Sequence, residues 1–304
     1  MNKNTLGYIF SFSLNLFYLI DDNSFCLSPF LPLLCHMRNF NFFFFLFFPL
    51  LLSAQNHTAN SRRNPNERND TLSAEQIAVF SRILDNMVFV DGGSFFMGRD
   101  DSKNLNKHDN EPRHLVNIDP FFISKFEVTQ DIWAVVMGDN PSAFKSELFP
   151  VENISWNDAL EFIGKLNNLT GMDFRMPTEA EWEFAARGGK YSLDYQFAGS
   201  DFLKAVAWYK DNSQNSSHEV GKKRPNELGI FDMSGNVAEW CSDFYDFDYY
   251  KTAQTDNPKG PLNGLNKVNR GGSWLMEEIY QRVDARNVAS PDERNPSVGL
   301  RLAM

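Results

Sequence analysis

One short segment of the chain has the residue types and spacing of a metal-binding loop. It reads DMSGNVAE over residues 232–239, so the carboxylates of Asp232 and Glu239 lie seven positions apart with a glycine between them. Calcium takes roughly six to eight oxygen ligands, which carboxylates and backbone carbonyls supply in flexible loops. The segment therefore predicts either a calcium loop or a turn held by its own hydrogen bonds.

Other residues capable of metal or nucleophilic chemistry are few. The histidines after residue 55 are His57, His108, His114 and His218, and no two have the close spacing of a metal pair on one helix. Cys241 is the single cysteine after residue 54, and we interpret it as a small, buried apolar residue.

An aromatic and acidic run, DFYDFDYY, covers residues 243–250. Such a run can line a ligand groove, or it can form part of the core with a solvated rim. The sequence leaves both interpretations open.

The composition excludes several classes of protein. The chain has 304 residues, with 29 basic and 39 acidic side chains and a net charge of −10. With 42% hydrophobic and 22% charged residues it can bury a core, which excludes a disordered tail. The acidic balance, without a run of Lys or Arg, argues against a nucleic-acid partner. Three cysteines are too few for a disulfide scaffold of this size.

Residues 1–54 form a targeting region that differs from the rest of the chain. An apolar run over residues 42–52 follows a single positive charge and ends at two small residues. These are the three parts of a secretory signal peptide, which we predict over residues 37–54. Because a second apolar stretch precedes it, we interpret residues 1–36 as a mis-annotated start and place the true start at Met37.

The mature chain is therefore expected to be exported, to the periplasm, the cell surface or the medium. The apolar run is too short to span a bilayer comfortably, so we expect no stable membrane span after cleavage. A retained membrane anchor is the alternative. Residues 55–72, rich in Asn, Arg and Ser, are predicted to be a flexible linker.

Four amphipathic patterns with N-terminal capping residues predict helices. The first is a short helix over residues 73–86, with a serine cap and a glutamine three residues on. The others follow Thr129, Ser155 and Thr178. Frequent turns and short β-like pieces make up the remainder, so residues 87–304 are predicted to form one α+β domain.

Four segments dense in glycine, arginine and aromatic residues follow one another along the chain. They are VDGGSFFMG at residues 90–98, RMPTEAEWEFAARGG at 175–189, NELGIFDMSGNVAEW at 226–240 and RGGSW at 270–274. In this order they resemble the formylglycine-generating enzyme family, which is built on the sulfatase-modifying factor domain. The resemblance implies an α+β, C-type-lectin-like sulfatase-modifying-factor fold: a single compact domain poor in regular secondary structure.

A domain with few strand ladders must satisfy its backbone polar groups through side chains. We therefore predict structural ion pairs, buried or half-buried, for the charged residues of these segments. They are Arg175, Arg187, Arg270, Arg286 and Arg301, with Glu179, Glu181 and Glu239.

The resemblance also implies ligands for the calcium loop. The family binds calcium in this segment, and by position the ligands here are Asp232, Glu239 and the backbone carbonyls of Gly235 and Val237. Asp232 stands where the enzyme has asparagine, a change that an oxygen ligand tolerates. We therefore expect calcium as a structural cofactor.

Catalysis in this family depends on two cysteines near the C-terminus, which hold copper(I) while oxygen oxidises a substrate cysteine. Counting forward from Ser273 places Met276 at the first position, and counting back from Arg286 places Glu278 at the second. No cysteine occurs over residues 242–304. Soft thiolates select copper(I) and a hard carboxylate does not replace them, so we expect neither copper nor the family's catalysis.

The sequence therefore predicts an exported, non-catalytic member of this family that serves as a binding or structural module of a bacterial envelope. Some relatives in gliding-motility and secretion machinery are of this kind, as an implication of the resemblance. The partner would be a protein or a glycan of unknown identity. Two alternatives remain. One is an active formylglycine-generating oxidase that converts a sulfatase cysteine, and the other is an oxidase or transferase that uses another site on this scaffold.

Overall fold

The computed structural model describes residues 72–100 and 108–304. The predicted signal peptide, the proposed start at Met37 and all of the predicted linker except Leu72 lie outside the described residues. Within the two described ranges, no helix combines the length and the apolar content that crossing a membrane requires.

The described residues contain four helices of two or more turns and one shorter helix. They are α1 (Ala74–Asp85), α2 (Gln130–Met137), α3 (Trp156–Thr170), α4 (Glu179–Ala186) and the single-turn α5 (Leu203–Val206). The capping boxes predicted for α1, α3 and α4 are confirmed. Ser73, Ser155 and Thr178 each accept a hydrogen bond from the backbone N–H three residues on, and the side chain at that position returns the bond. Helix α5 was not predicted, and it has no side-chain cap.

Eight short strands in the same ranges pair into three small sheets. They are β1 (Met87–Val90), β2 (Gly93–Met97), β3 (His114–Ile118), β4 (Phe121–Ser124), β5 (Ala238–Phe244), β6 (Lys267–Arg270), β7 (Arg286–Ala289) and β8 (Val298–Gly299). Strand β1 pairs with β4 and β2 with β3, both antiparallel, with Met87 opposite Ser124 in the first pair. The largest sheet has the order β7-β6-β5-β8, in which only β5 and β8 are parallel.

Two large hydrophobic cores hold these elements together, and a third, smaller cluster includes Leu203 and Val206 of α5. In the first, Trp133 of α2 stacks on Phe162 of α3 with ring centroids 4.9 Å apart. Phe80 of α1 belongs to the same core, so the short helix ahead of the strands packs into the domain. In the second, α4 packs Trp182 and Phe184 against the strands. Burial of each large apolar side chain contributes roughly 1.5–3 kcal/mol, so these cores fix where the loops between the strands lie.

Candidate functional site

The 232–239 loop leads into strand β5 through left-handed backbone conformations. Asp232 and Asn236 both have φ of 58°, and Gly235 has φ of 84°. Asp and Asn tolerate this region better than most residues, and glycine enters it without strain. A Cβ on Gly235 would lie 2.3 Å from the carbonyl oxygen of Trp208, so no side chain fits there. The turn geometry therefore accounts for the residue types of this loop.

Asn236 ties the loop to four residues in other parts of the domain. Its side chain donates to the Glu127 carboxylate at 2.7 Å and accepts from the His218 backbone N–H at 2.9 Å. Its backbone N–H donates to the Trp208 carbonyl at 2.8 Å, and its carbonyl accepts from the Trp274 N–H at 2.7 Å. The loop is thus a junction between distant segments, a role that was not predicted from the sequence.

Glu127 and Asp232 are buried acids near this junction. Burial, followed by the nearby charges of Asp232 and Glu239, raises the pKa of Glu127 well above its ordinary value. Burial also raises the pKa of Asp232 to about 6, although its Oδ2 accepts a 2.6 Å hydrogen bond from the Gly221 N–H. The Oδ1 of Asp232 is buried and has no hydrogen-bond partner. Glu127 was not predicted as a site residue. The one feature of the sequence that could have indicated it is the position of an acidic residue within the largely apolar segment FEVT.

Glu239 is engaged in an ion pair. Its carboxylate oxygens accept from the Arg301 guanidinium over distances of 2.6 to 3.0 Å, and Oε2 also accepts from the Trp182 indole N–H at 2.6 Å. All three side chains are fully buried. A calcium ion would have to share this carboxylate with a fixed positive charge in a dry environment, which is unfavourable.

The contacts of Glu239 therefore do not fit the predicted calcium site. Asp232 and Glu239 do influence each other electrostatically, so the loop brings them into one buried region with Gly235 and Val237 between them. Across residues 72–100 and 108–304, however, no three His, Cys, Asp or Glu side chains are grouped so that they could hold a metal ion. Calcium binding itself stays a prediction. The geometry favours the second interpretation of the segment, a turn held by hydrogen bonds.

The two residues that the sequence predicts at the family's cysteine positions lie in a surface turn. Met276 is half-buried, and Glu278 is exposed at the start of a 3-10 turn over residues 278–281. The buried Gln281 donates to the carbonyls of Ser273 and Met276 at 3.0 and 3.1 Å, which closes the turn. The turn therefore carries one thioether and one exposed carboxylate.

Cys241 lies inside the domain, on β5. Its side chain is completely buried in the second core, which confirms its interpretation as a small apolar residue. Burial, followed by the charges of Asp243 and Glu179, raises the pKa of the thiol well above its ordinary value. A buried, protonated thiol is neither a good nucleophile nor a good copper ligand.

The predicted structural ion pairs are confirmed for all five arginines. The pairs are Arg175–Glu181 at 2.6 Å, Arg187–Glu183 at 2.7 Å, Arg270–Glu183, Arg286–Glu179 at 2.7 Å and Arg301–Glu239 at 2.6 Å. Glu183, which two arginines share, was not among the predicted partners. The pairs of Arg270, Arg286 and Arg301 are buried and join distant segments, whereas Arg187–Glu183 spans one turn at the end of α4 and Arg175 is partly exposed.

The aromatic and acidic run at residues 243–250 forms core with an exposed rim. Its Tyr245 and Tyr250 rings lie 4.9 and 4.5 Å from the Arg286 guanidinium. Tyr250 is buried, whereas Phe247 is 44% exposed. The run therefore packs around the ion pair of Arg286. The structure supports its interpretation as part of the core with a solvated rim.

A family model, two relatives and a solved structure match this chain. The model, described as a sulfatase-modifying factor enzyme 1-like domain, matches residues 74–304. A chaperone protein, LppX, of Paenibacillus barcinonensis is 30% identical over 76% of this chain and 93% of its own. A formylglycine-generating enzyme of Streptomyces coelicolor is 35% identical over 51% of this chain and 52% of its own, so the chain spans about half of that enzyme.

The solved structure is that of Treponema denticola variable protein 1. It superposes with a TM-score of 0.66 at 32% identity, and the match covers 71% of this chain and 94% of that one. The predicted fold class is thereby confirmed, as a single compact domain of mixed helix and sheet with the sulfatase-modifying-factor fold.

Proposed function

The chain belongs to the family of sulfatase-modifying factor enzyme 1-like domains, and from that premise we propose that it is a non-catalytic, exported member that acts as a binding or structural module of the cell envelope. The observation that carries the proposal concerns cysteine. Residues 242–304 contain none, and Cys241 is wholly buried on β5. Copper(I) requires soft ligands. Met276 offers one neutral thioether, and Glu278 offers a hard carboxylate that is exposed to water.

The buried charges support the same proposal. A general acid or base must exchange a proton with a substrate within hydrogen-bond reach. Glu179, Glu183 and Glu239 are each buried and paired with at least one arginine, so they stabilise the fold and have no open side toward a substrate.

One relative, of which the match covers 93%, is named as a chaperone. By analogy with that name, the proposed partner of this chain is another protein, with a glycan as the alternative. Export rests on the predicted signal peptide over residues 37–54.

Competition for copper(I) tests the non-catalytic part of the proposal. The full chain, as its host processes it, is titrated with copper(I) against a chromophoric chelator. The Cys241→Ser variant is measured beside it, and the Streptomyces coelicolor enzyme serves as the positive control. We expect the chain to take up no more copper than the variant does. Tight uptake by the wild-type chain would contradict the proposal, and its loss in Cys241→Ser would identify the ligand.

Export is tested by cell fractionation with mass spectrometry of the N-terminal peptide. We expect the protein outside the cytoplasm with its N-terminus near Gln55. A cytoplasmic protein that keeps residues 37–54 would contradict export, and any peptide from residues 1–36 would contradict the start at Met37.

A further inference from the structure

A small apolar cavity lies between the C-terminal end of α1, the start of α2 and the loop at residues 219–222. Its volume is about 210 Å³. The apolar side chains of its wall are Ile83, Phe126, Val128, Ile132, Leu148, Val220 and Leu302. None of the wall residues belongs to the 232–239 loop or to the turn around Met276. The wall residue Glu127 accepts hydrogen bonds from Asn236 and Val237, so the cavity adjoins the 232–239 loop without including it.

The polar side chains of the wall already have partners. They pair as Arg82 with Asp131, Lys222 with Glu219, Asn86 with the Arg82 carbonyl, Ser124 with the Phe126 carbonyl, Thr129 with Asp131, and Glu127 with Asn236 and the Val237 N–H. None of the buried side-chain atoms that lack a partner in the described chain belongs to this wall. A group that enters the cavity therefore meets no buried polar side-chain atom that lacks a partner.

The loop at residues 219–222 is held in place independently of any ligand. The Val220 N–H donates to the Leu148 carbonyl at 3.1 Å, and the Gly221 N–H donates to the Asp232 carboxylate at 2.6 Å. Gly221 packs so closely on Phe126 that a Cβ would lie 2.6 Å from its ring. The cavity is thus preformed, which limits the ordering cost of binding. Leu148, 46% exposed, marks the side that opens to solvent.

We propose that this cavity binds a small, uncharged hydrophobic molecule about the size of one substituted aromatic ring. A dry cavity of about 150 Å³ lined by Leu, Ile and Phe is large enough for benzene, so the volume here is sufficient. An ordered water needs roughly two to four polar partners, and this wall offers no buried polar side-chain atom that lacks a partner. A charged ligand would lose its hydration against the apolar wall, and the cations Arg82 and Lys222 are already paired with Asp131 and Glu219.

A larger depression on the same side of the domain does not have this character. It measures about 700 Å³ and is lined mainly by polar side chains, among them Glu75, Gln76, Asn140 and Lys145. Polar atoms make up about half of its exposed wall, so a hydrophobic molecule bound there would have to displace water from them without replacing their hydrogen bonds. The proposed site is therefore specific to the smaller cavity, and it does not depend on the proposed function.

Toluene is the probe for this site, measured on the full chain as its host processes it. We expect toluene to raise the melting temperature progressively with its concentration, because it binds only the folded state, and to give a saturation-transfer NMR signal that saturates. Val220→Phe places a ring in the cavity and should abolish both effects. The matched control Val288→Phe changes a 44% exposed residue of β7 and should preserve them. Benzoate adds a charge to a similar ring and should bind about tenfold more weakly or not at all.

Three results would overturn the proposal. They are the absence of saturable toluene binding to the folded wild-type chain, unchanged binding by Val220→Phe, and benzoate binding as tight as that of toluene. Circular dichroism checks that Val220→Phe is folded. If it is not, Leu148→Trp, which enters the cavity from its exposed side, replaces it with the same expected loss. None of these readouts involves copper or catalysis, so their failure would leave the proposed function standing.

Discussion

Removal of the Arg301 guanidinium should destabilise the domain by several kcal/mol. The group is fully buried and makes three hydrogen bonds to Glu239 and one each to the carbonyls of Ser124 and Phe231. In Arg301→Met, the Glu239 carboxylate keeps only the Trp182 indole as a donor, and two carbonyls lose theirs. Breaking a buried ion pair by removing one partner costs about 3–5 kcal/mol.

Urea unfolding at 25 °C measures this loss, and thermal unfolding gives a second reading. Domains of this size shift their melting temperature by roughly 2–4 °C per kcal/mol, so a fall of roughly 6–20 °C is expected. The matched control is Lys165→Met, which removes a 2.9 Å pair with Glu161 on the surface of α3. Because both side chains of that pair are largely exposed, the control should lose less than about 0.5 kcal/mol.

A double variant measures how much of the loss comes from the Glu239 carboxylate that Arg301→Met leaves without its cation. Glu239→Gln combined with Arg301→Met leaves no buried carboxylate without its cation, so it should be less destabilised than Arg301→Met alone. An Arg301→Met protein as stable as Lys165→Met would refute the reasoning. A double variant that falls below Arg301→Met would show that the carboxylate does not carry the cost.

Three further predictions concern Asp243, the 232–239 loop and the packing of α1. Burial, followed by the Glu179 charge, raises the pKa of Asp243 to about 7, so its contribution to stability is lost as the pH rises from about 4 toward 7. Asp243→Asn should therefore unfold at higher urea than wild type at pH 8 but not at pH 4, and an equal gain at both would contradict this. If the 232–239 segment is the hydrogen-bonded turn that its contacts favour, calcium and chelators should leave the melting temperature unchanged, because Arg301 already neutralises Glu239. A calcium-dependent rise that Glu239→Ala abolishes would instead confirm the predicted calcium loop. Phe80 lies on α1 and faces the first core, so Phe80→Ala should lower the free energy of unfolding in urea by about 3–5 kcal/mol. Ile77 on the same helix is 36% exposed, so Ile77→Ala should lower it far less. Similar losses would show that α1 does not pack as described.

The local parts of the fold were predictable because the interactions that define them are local. Ser73, Ser155 and Thr178 cap helices through bonds to residues three positions away, and the sequence displays both partners. Helix α5 (Leu203–Val206) has a single turn and no side-chain cap, so it leaves no such pattern.

The partners of the buried charges were harder to predict, because they are distant along the chain. The arginines were correctly expected to form ion pairs, yet Glu183, which lies on α4 and pairs with Arg187 and Arg270, was not. The environment of Glu239 shows the same limit. The sequence shows Glu239 seven positions after Asp232, a spacing that suits calcium ligands, but only the tertiary fold places Arg301 against the Glu239 carboxylate.

The absence of the family's catalysis is the central claim, and mass spectrometry of a substrate peptide tests it directly. A peptide that contains Cys-x-Pro-x-Arg is incubated with the full chain, copper and oxygen, and the Streptomyces coelicolor enzyme is the positive control. Because counting along the sequence places Met276 and Glu278 at the predicted positions of the copper-binding cysteines, and because Cys241 is buried, the peptide should keep the mass of its cysteine form. Loss of that mass with gain of the formylglycine aldehyde in the wild-type reaction would contradict the claim.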